Sequence, residues 1–232
     1  MLAVPAFHAI VAITLVVDAL LLGFLIWAFH SKALGKYRMR AIMKVKVSPR
    51  RFWITIGGNG IFSTLLSLGL IYGLADVVLH AGEAPIWLMV VQGVAILVIY
   101  DFTYYGLHRL MHIKSVMRLV HGVHHRARYP SALESLYLSP IELFLGLALL
   151  MASTYAVSLF GPVHYLAFGA AFFVYSTLNI VIHSGMIFPH RAFFVVNLLT
   201  KKHHEHHFGD YGRNYASISP LPDLLFGTLT KR

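Results

Sequence analysis

The sequence predicts an all-α integral membrane helical bundle, with about five hydrophobic spans and a histidine-rich cap on the cytosolic face. Three observations carry this expectation. Hydrophobic residues make up 58% of the 232 positions, with a mean hydropathy of +0.70. Charged residues are 12% of the chain, against roughly 25% in soluble domains. The 19 Lys and Arg residues avoid the apolar stretches and fall within residues 32–51, 109–128 and 191–232.

A helix crossing the hydrocarbon layer needs about 20 apolar residues. Residues 9–29 meet that length with Asp18 as the interruption, and without a basic leader or cleavage site they read as a retained span. Residues 61–79 follow a Gly57-Gly58-Asn59-Gly60 break and contain Asp76. Residues 86–107 begin after Pro85 and become polar and aromatic near Asp101. Residues 141–160 and 163–182 are divided by Gly161-Pro162, a link that suits a tight turn between antiparallel helices. Residues 193–199 are too short to span and suit an interfacial helix, as do residues 221–229.

Threading these spans through a bilayer puts all three basic segments on one side. By the positive-inside rule that side is the cytosol, with the amino terminus outside. Basic residues that flank spans describe topology, so nucleic acid is not an expected partner. The expected location is a bacterial inner membrane or endoplasmic reticulum, as a multi-pass protein. The chain reads as a single membrane domain over residues 1–232, its cap formed by residues 108–130 and 183–232. It contains no Cys, which excludes disulfides and thiolate metal sites.

Of the 15 His residues, 12 lie between His108 and His207. Ten of these form His108-x-x-x-His112, His121-x-x-His124-His125, a lone His183, and His203-His204-Glu205-His206-His207. Residues three and four apart share a helix face, so each box is expected to aim two or three imidazoles in one direction. Neutral imidazole binds iron, zinc, copper and nickel. All these elements are expected at cytosolic helix ends or in cytosolic segments, where they can meet at one depth. Nine candidate ligands follow: His108, His112, His121, His124, His125, His183, His203, His206 and His207. One metal takes about four to six ligands, so nine imidazoles imply two metals. Asn179, four residues before His183, is a candidate tenth ligand. His8, His30, His80 and His164 are expected to be structural, while His190 and His204 complete no box.

A ligating imidazole commonly donates its second N–H to a carboxylate or carbonyl. Asp101, seven residues before His108, and Glu205, inside the last box, are the carboxylates expected in that supporting role. Glu134 and Glu142 are expected to pair with Arg126 or Arg128. Asp18 is expected to be buried and hydrogen-bonded. The run Phe172-Phe173-Val174-Tyr175 suits either a lipid tunnel or simple packing.

The segments Asp101-Phe-Thr-Tyr-Tyr-Gly-Leu-His108-Arg109-Leu-Met-His112, His121-Gly-Val-His124-His125, His183-Ser184-Gly185, and His203 through Asn214-Tyr215-Ala216-Ser217 together resemble the fatty acid hydroxylase/sterol desaturase superfamily. The resemblance implies a di-iron centre using O2 as co-substrate, with zinc as a substitute ion in purified material. It implies hydroxylation or desaturation of a membrane lipid: sterol-like, fatty acyl or another hydrophobic substrate. Electrons are then expected from an external donor of the ferredoxin or cytochrome type with its reductase. The chain departs from the family at Ser139-Pro140-Ile141-Glu142, where a His-Pro-x-Glu sequence is common, and at Asn179, where some members carry His. Two other classes compete. A membrane metal-binding or transport protein would distribute ligands through the midplane. A zinc-dependent membrane hydrolase is disfavoured by the absence of His-Glu-x-x-His.

Overall fold

A computed structural model describes residues 5–40, 45–208 and 211–230; Lys44, Lys231 and Arg232 of the basic segments lie outside them. Among the described residues, five helices are long and apolar enough to cross a membrane: α1 (Pro5–His30), α2 (Pro49–Val78), α3 (Ile86–Met111), α5 (Pro140–Ser158) and α6 (Tyr165–Ile182). Three shorter helices complete the cap: α4 (Lys114–Leu119), α7 (Phe194–Phe208) and α8 (Leu221–Leu225). The apolar distribution is that of a protein dissolved in lipid. Phe7, Ile71, Ile96, Leu150 and Phe168 fill the centre, while Leu20, Val77 and Ile86 stand 70–78% exposed on the outside. Water would not tolerate that perimeter; hydrocarbon does, because each helix satisfies its own backbone.

The second span is longer than its hydropathy predicts. α2 runs unbroken from Pro49 through the three glycines expected to interrupt it. Each glycine costs about 1 kcal/mol relative to alanine in a helix, but tertiary contact overrides that cost. Asn59 is buried and its Nδ2 donates to the carbonyls of Leu136 and Leu138, both at 2.8 Å. The helix is thereby tied to the loop that precedes α5. At the start of α2, Ser48 caps the amide of Arg51 and Pro49 occupies the first turn, where its missing N–H is harmless.

α1 packs on α6, α2 on α5, and α3 on both α5 and α6. At the end remote from the histidine boxes, Leu79–His80 pairs in parallel with Val163–His164. Gln92 bridges this end, donating to the Pro162 carbonyl at 3.0 Å and accepting from the His164 amide at 2.9 Å. Gly161 turns the chain with a φ of 140°, open only to glycine.

At the other end the cap departs from expectation twice. Residues 193–199 do not form a helix of their own. After a 3-10 turn at Arg191–Phe193, α7 joins them to the last histidine box in one 15-residue helix. Its exposed start, with Phe194 and Val195, still suits a membrane surface. Glu134 pairs with neither Arg126 nor Arg128; it forms a capping box with Ser131 on the 3-10 turn Ala132–Leu136.

Candidate metal centre

Nine imidazoles converge on the cap from four elements: α3, the 3-10 turn His121–Arg126, the end of α6 and α7. They form two groups, in each of which the candidate ligand atoms lie within 4.8 Å of one another. One contains His108, His112, His121, His125 and His206; the other contains His124, His183, His203 and His207. The groups abut, with ring centroids 4.6 Å apart for His125 and His207 and 5.5 Å for His121 and His124.

His108 and His112 of the first box share one group, as helical spacing predicts, but each His-x-x-His-His box divides between the groups. The residues four apart, His121 and His125, enter the five-histidine group while His124 enters the other. In the last box the assignment reverses: His203 and His207 enter the four-histidine group and His206 the five-histidine group. A His-x-x-His-His pattern therefore serves to straddle two adjacent centres. The second box lies on a 3-10 turn, made close-fitting by Gly122, where a Cβ would stand 2.6 Å from the Met117 carbonyl oxygen.

Five of the nine second nitrogens are held by oxygens, whereas Nδ1 of His124 and of His125 has no hydrogen-bond partner among the described residues. His108 Nδ1 lies 2.7 Å from the Tyr215 carbonyl, His206 Nδ1 2.6 Å from that of Arg213, and His207 Nδ1 3.0 Å from that of Ala127. His183 Nδ1 lies 2.7 Å from the Asn179 carbonyl, and His121 Nδ1 2.8 Å from Glu142 Oε1. An imidazole that donates through Nδ1 to such an oxygen leaves Nε2 bare unless the ring is charged. Charging is opposed by burial, reinforced by neighbouring imidazoles, which holds His121, His124, His125, His203, His206 and His207 well below the usual value. Burial takes His112 to about 4, and His183 also to about 4 against the opposing pull of its bond to Asn179.

The bare nitrogens face one another. Nε2 of His108 and Nε2 of His121 are 2.9 Å apart, and both rings already direct Nδ1 to oxygen. His183 and His203 approach to 2.8 Å; His124 and His207 to 3.1 Å. Two lone pairs at that separation, as between His108 and His121, repel unless a cation lies between them. Metal–nitrogen bonds of about 2.0–2.1 Å put adjacent octahedral ligands about 2.9 Å apart, and tetrahedral ones about 3.4 Å. The donor set fits two metal ions.

The supporting carboxylates differ from expectation. Asp101 binds no imidazole directly. Its Oδ1 accepts the amides of Ser217 and Ile218 at 3.2 and 2.9 Å, and its Oδ2 the amide and hydroxyl of Ser219 at 3.0 and 2.6 Å. Asp223 accepts the amides of Tyr215 and Ala216. Together they fix the strap whose carbonyl at Tyr215 takes His108. Glu205 turns aside to Lys202, Asn214 and Thr230. Glu142 pairs with neither Arg126 nor Arg128; it carries His121, and its Oε2 has no hydrogen-bond partner among the described residues. A signal for Glu142 existed in Ser139-Pro140-Ile141-Glu142, a helix start at the depth of the boxes. The backbone carbonyls had none. His190 and His204 stay outside both groups; His190 caps the 3-10 turn before α7 by accepting the Ala192 amide.

A cavity of about 390 Å³ opens from the four-histidine group into the bundle. His124, His183, Glu142 and Tyr104 stand at one end, and Tyr100, Leu147 and Phe172 along its wall. Asp18 also lines it, buried as expected and accepting from the Thr177 hydroxyl at 3.0 Å. Phe172 and Tyr175 of the aromatic run face this cavity, whereas Phe173 is 39% exposed.

Paired histidine groups at one end of a membrane-spanning bundle, above an apolar cavity, define the class of histidine-box integral membrane proteins. The chain belongs to the fatty acid hydroxylase family, whose model matches residues 93–228. Methylsterol monooxygenase 1 of Rattus norvegicus is 31% identical over 139 residues, 56% of this chain and 44% of that protein. Very-long-chain aldehyde decarbonylase GL1-11 of Oryza sativa subsp. indica is 34% identical over 150 residues, 62% and 54% respectively. A cholesterol 25-hydroxylase-like protein of Caenorhabditis briggsae is 33% identical over 110 residues, 46% and 35%. The chain spans about half the length, or less, of these curated relatives. No solved structure matches the chain.

Proposed function

We propose that the chain is a di-iron lipid oxygenase whose site lies at the cytosolic face. The observation that carries the proposal is the cavity: an apolar chamber that ends on imidazoles of the four-histidine group. The nine histidines named above would hold the two irons. Asn179, whose side chain lines the chamber beside His124 and His183, would add a tenth donor to the smaller group. When bound, the metal pair supplies the reductive activation of dioxygen that amino-acid side chains lack.

The remaining work falls to the protein. Glu142 orients His121, and the carbonyls of Ala127, Asn179, Arg213 and Tyr215 orient four further rings. The walls at Leu143, Leu147 and Phe172 exclude water and hold an alkyl segment against the histidines. Inserting one oxygen atom into a C–H bond consumes O2, two electrons and two protons, and releases water; desaturation removes two hydrogens instead. The electrons come from a separate donor. Exposed Arg109, Arg118, Arg126 and Lys201 surround the cap and would receive an acidic ferredoxin or cytochrome. Sterol, acyl and aldehyde lipids are all in scope, given the names of the relatives.

The test is lipid analysis of cells expressing the native chain or His124→Ala under ¹⁸O₂. A labelled or newly unsaturated lipid dependent on the native chain supports the proposal. Identical lipids in the two, with the native protein carrying its metal and a competent donor present, overturn it.

A further inference from the structure

Asp18 lies in the membrane-crossing part of α1, outside the family-matched residues 93–228. Carboxylates at such depth are expensive and are kept for a purpose. One purpose is to tie α1 to α6 through Thr177, yet that bond occupies one of roughly four lone-pair sites on an ionised carboxylate. The chamber's other wall offers little more. The hydroxyls of Ser63 and Thr64, which line it on α2, both donate to the Gly60 carbonyl of their own helix at 3.0 Å. Ser176 also stands beside Asp18, but its hydroxyl donates to the Phe172 carbonyl of its own helix, at 2.9 Å.

The face that carries Asp18 is built as a chamber wall. Leu15, Asp18, Ala19 and Leu22 line it from α1, and Gly60, Ser63, Thr64 and Ser67 from α2. Both sets follow the i, i+3, i+4, i+7 spacing of a single helical stripe. Among the described residues, no Lys or Arg lines the chamber, and its acidic residues are Asp18 and Glu142. Such a chamber repels a free carboxylate and favours a neutral molecule that brings its own hydrogen-bond donor.

We infer that Asp18 is a specificity-determining residue: it accepts a hydrogen bond from the hydroxyl of an uncharged lipid in the chamber, selecting alcohols over ethers and acids. This rests on the chamber being the lipid site proposed above. The reach follows from α6. Thr177 precedes His183 by six residues, an axial rise of about 9 Å. The hydroxyl therefore sits about 9 Å along the chamber from the carbon presented to His124 and His183.

The experiment measures binding, not turnover, so that failure of the oxygenase reading would not disturb it. Metal-loaded protein in nanodiscs, kept anaerobic, is titrated with tritiated 1-hexadecanol and challenged with hexadecyl methyl ether or hexadecanoic acid. The native chain is expected to prefer the alcohol to its ether by about tenfold, equivalent to about 1.4 kcal/mol, and to bind the acid more weakly still. Asp18→Leu is expected to bring the alcohol-to-ether ratio to about one with metal content unchanged. Thr177→Val removes the helix tie but leaves the acceptor, and is expected to keep the preference. The inference is overturned if the native chain shows no preference or binds neither lipid. It is equally overturned if Asp18→Leu keeps the native ratio, or if Thr177→Val loses it as fully as Asp18→Leu.

Discussion

Glu142 offers the sharpest perturbation of the proposed metal centre, because it touches one proposed ligand through one bond. Its Oε1 accepts from His121 Nδ1 at 2.8 Å, and both side chains are buried. Glu142→Leu leaves that N–H without an acceptor and frees the ring to turn. A hydrogen bond to a charged group contributes about 1.5–3 kcal/mol. At 1.4 kcal/mol per tenfold, metal affinity should fall roughly 10- to 100-fold, the range found when supporting partners of ligands are removed. Glu142→Gln keeps an acceptor oxygen without the charge. A neutral bond contributes about half as much, so its loss should be intermediate. The assay is competition between the purified protein and a chelator of known affinity, with helix content followed by circular dichroism. Native affinity in Glu142→Leu, with native helix content, would refute the claim that this carboxylate orients the ligand.

Other expectations follow from neighbouring contacts. Asp101→Asn leaves one carbonyl oxygen where two carboxylate oxygens served three amides and a hydroxyl. The strap bearing Tyr215 should loosen and metal retention fall roughly 10–100-fold; unchanged retention would detach Asp101 from the site. Gly122→Ala places a methyl 2.6 Å from the Met117 carbonyl, so it should displace the second box and lower bound metal, whereas Gly106→Ala, which meets nothing within 4 Å, should not. Acid should destabilise the metal-free protein. Unfolded histidines titrate near 6.5, while His112 and His183 hold to about 4. The unfolded chain therefore takes up more protons between those values, and stability falls as pH drops through that window. A melting temperature flat from pH 7 to 4 would contradict this.

Much of the architecture was legible in the sequence because hydrocarbon imposes a length that each span meets independently. The boundaries were less so. Gly57, Gly58 and Gly60 read as a break, yet Asn59 anchors α2 to the carbonyls before α5, a contact that joins residues almost eighty positions apart. The nine histidines were legible as a set through their spacing. Their division was not, because a shared helix face implies one direction, whereas His124 and His206 leave their boxes for the opposite group. The orienting groups were the least visible. Four are backbone carbonyls, which any residue supplies, and the carboxylates nearest the boxes in sequence, Asp101 and Glu205, hold the strap and the tail.

The five-and-four division of imidazoles is tested most directly by counting metal. Anaerobically prepared native protein should hold about two ions per chain, and His203→Ala combined with His207→Ala should leave about one, in the five-histidine group. A native chain that saturates at a single ion, with all nine histidines intact, would contradict the paired centre.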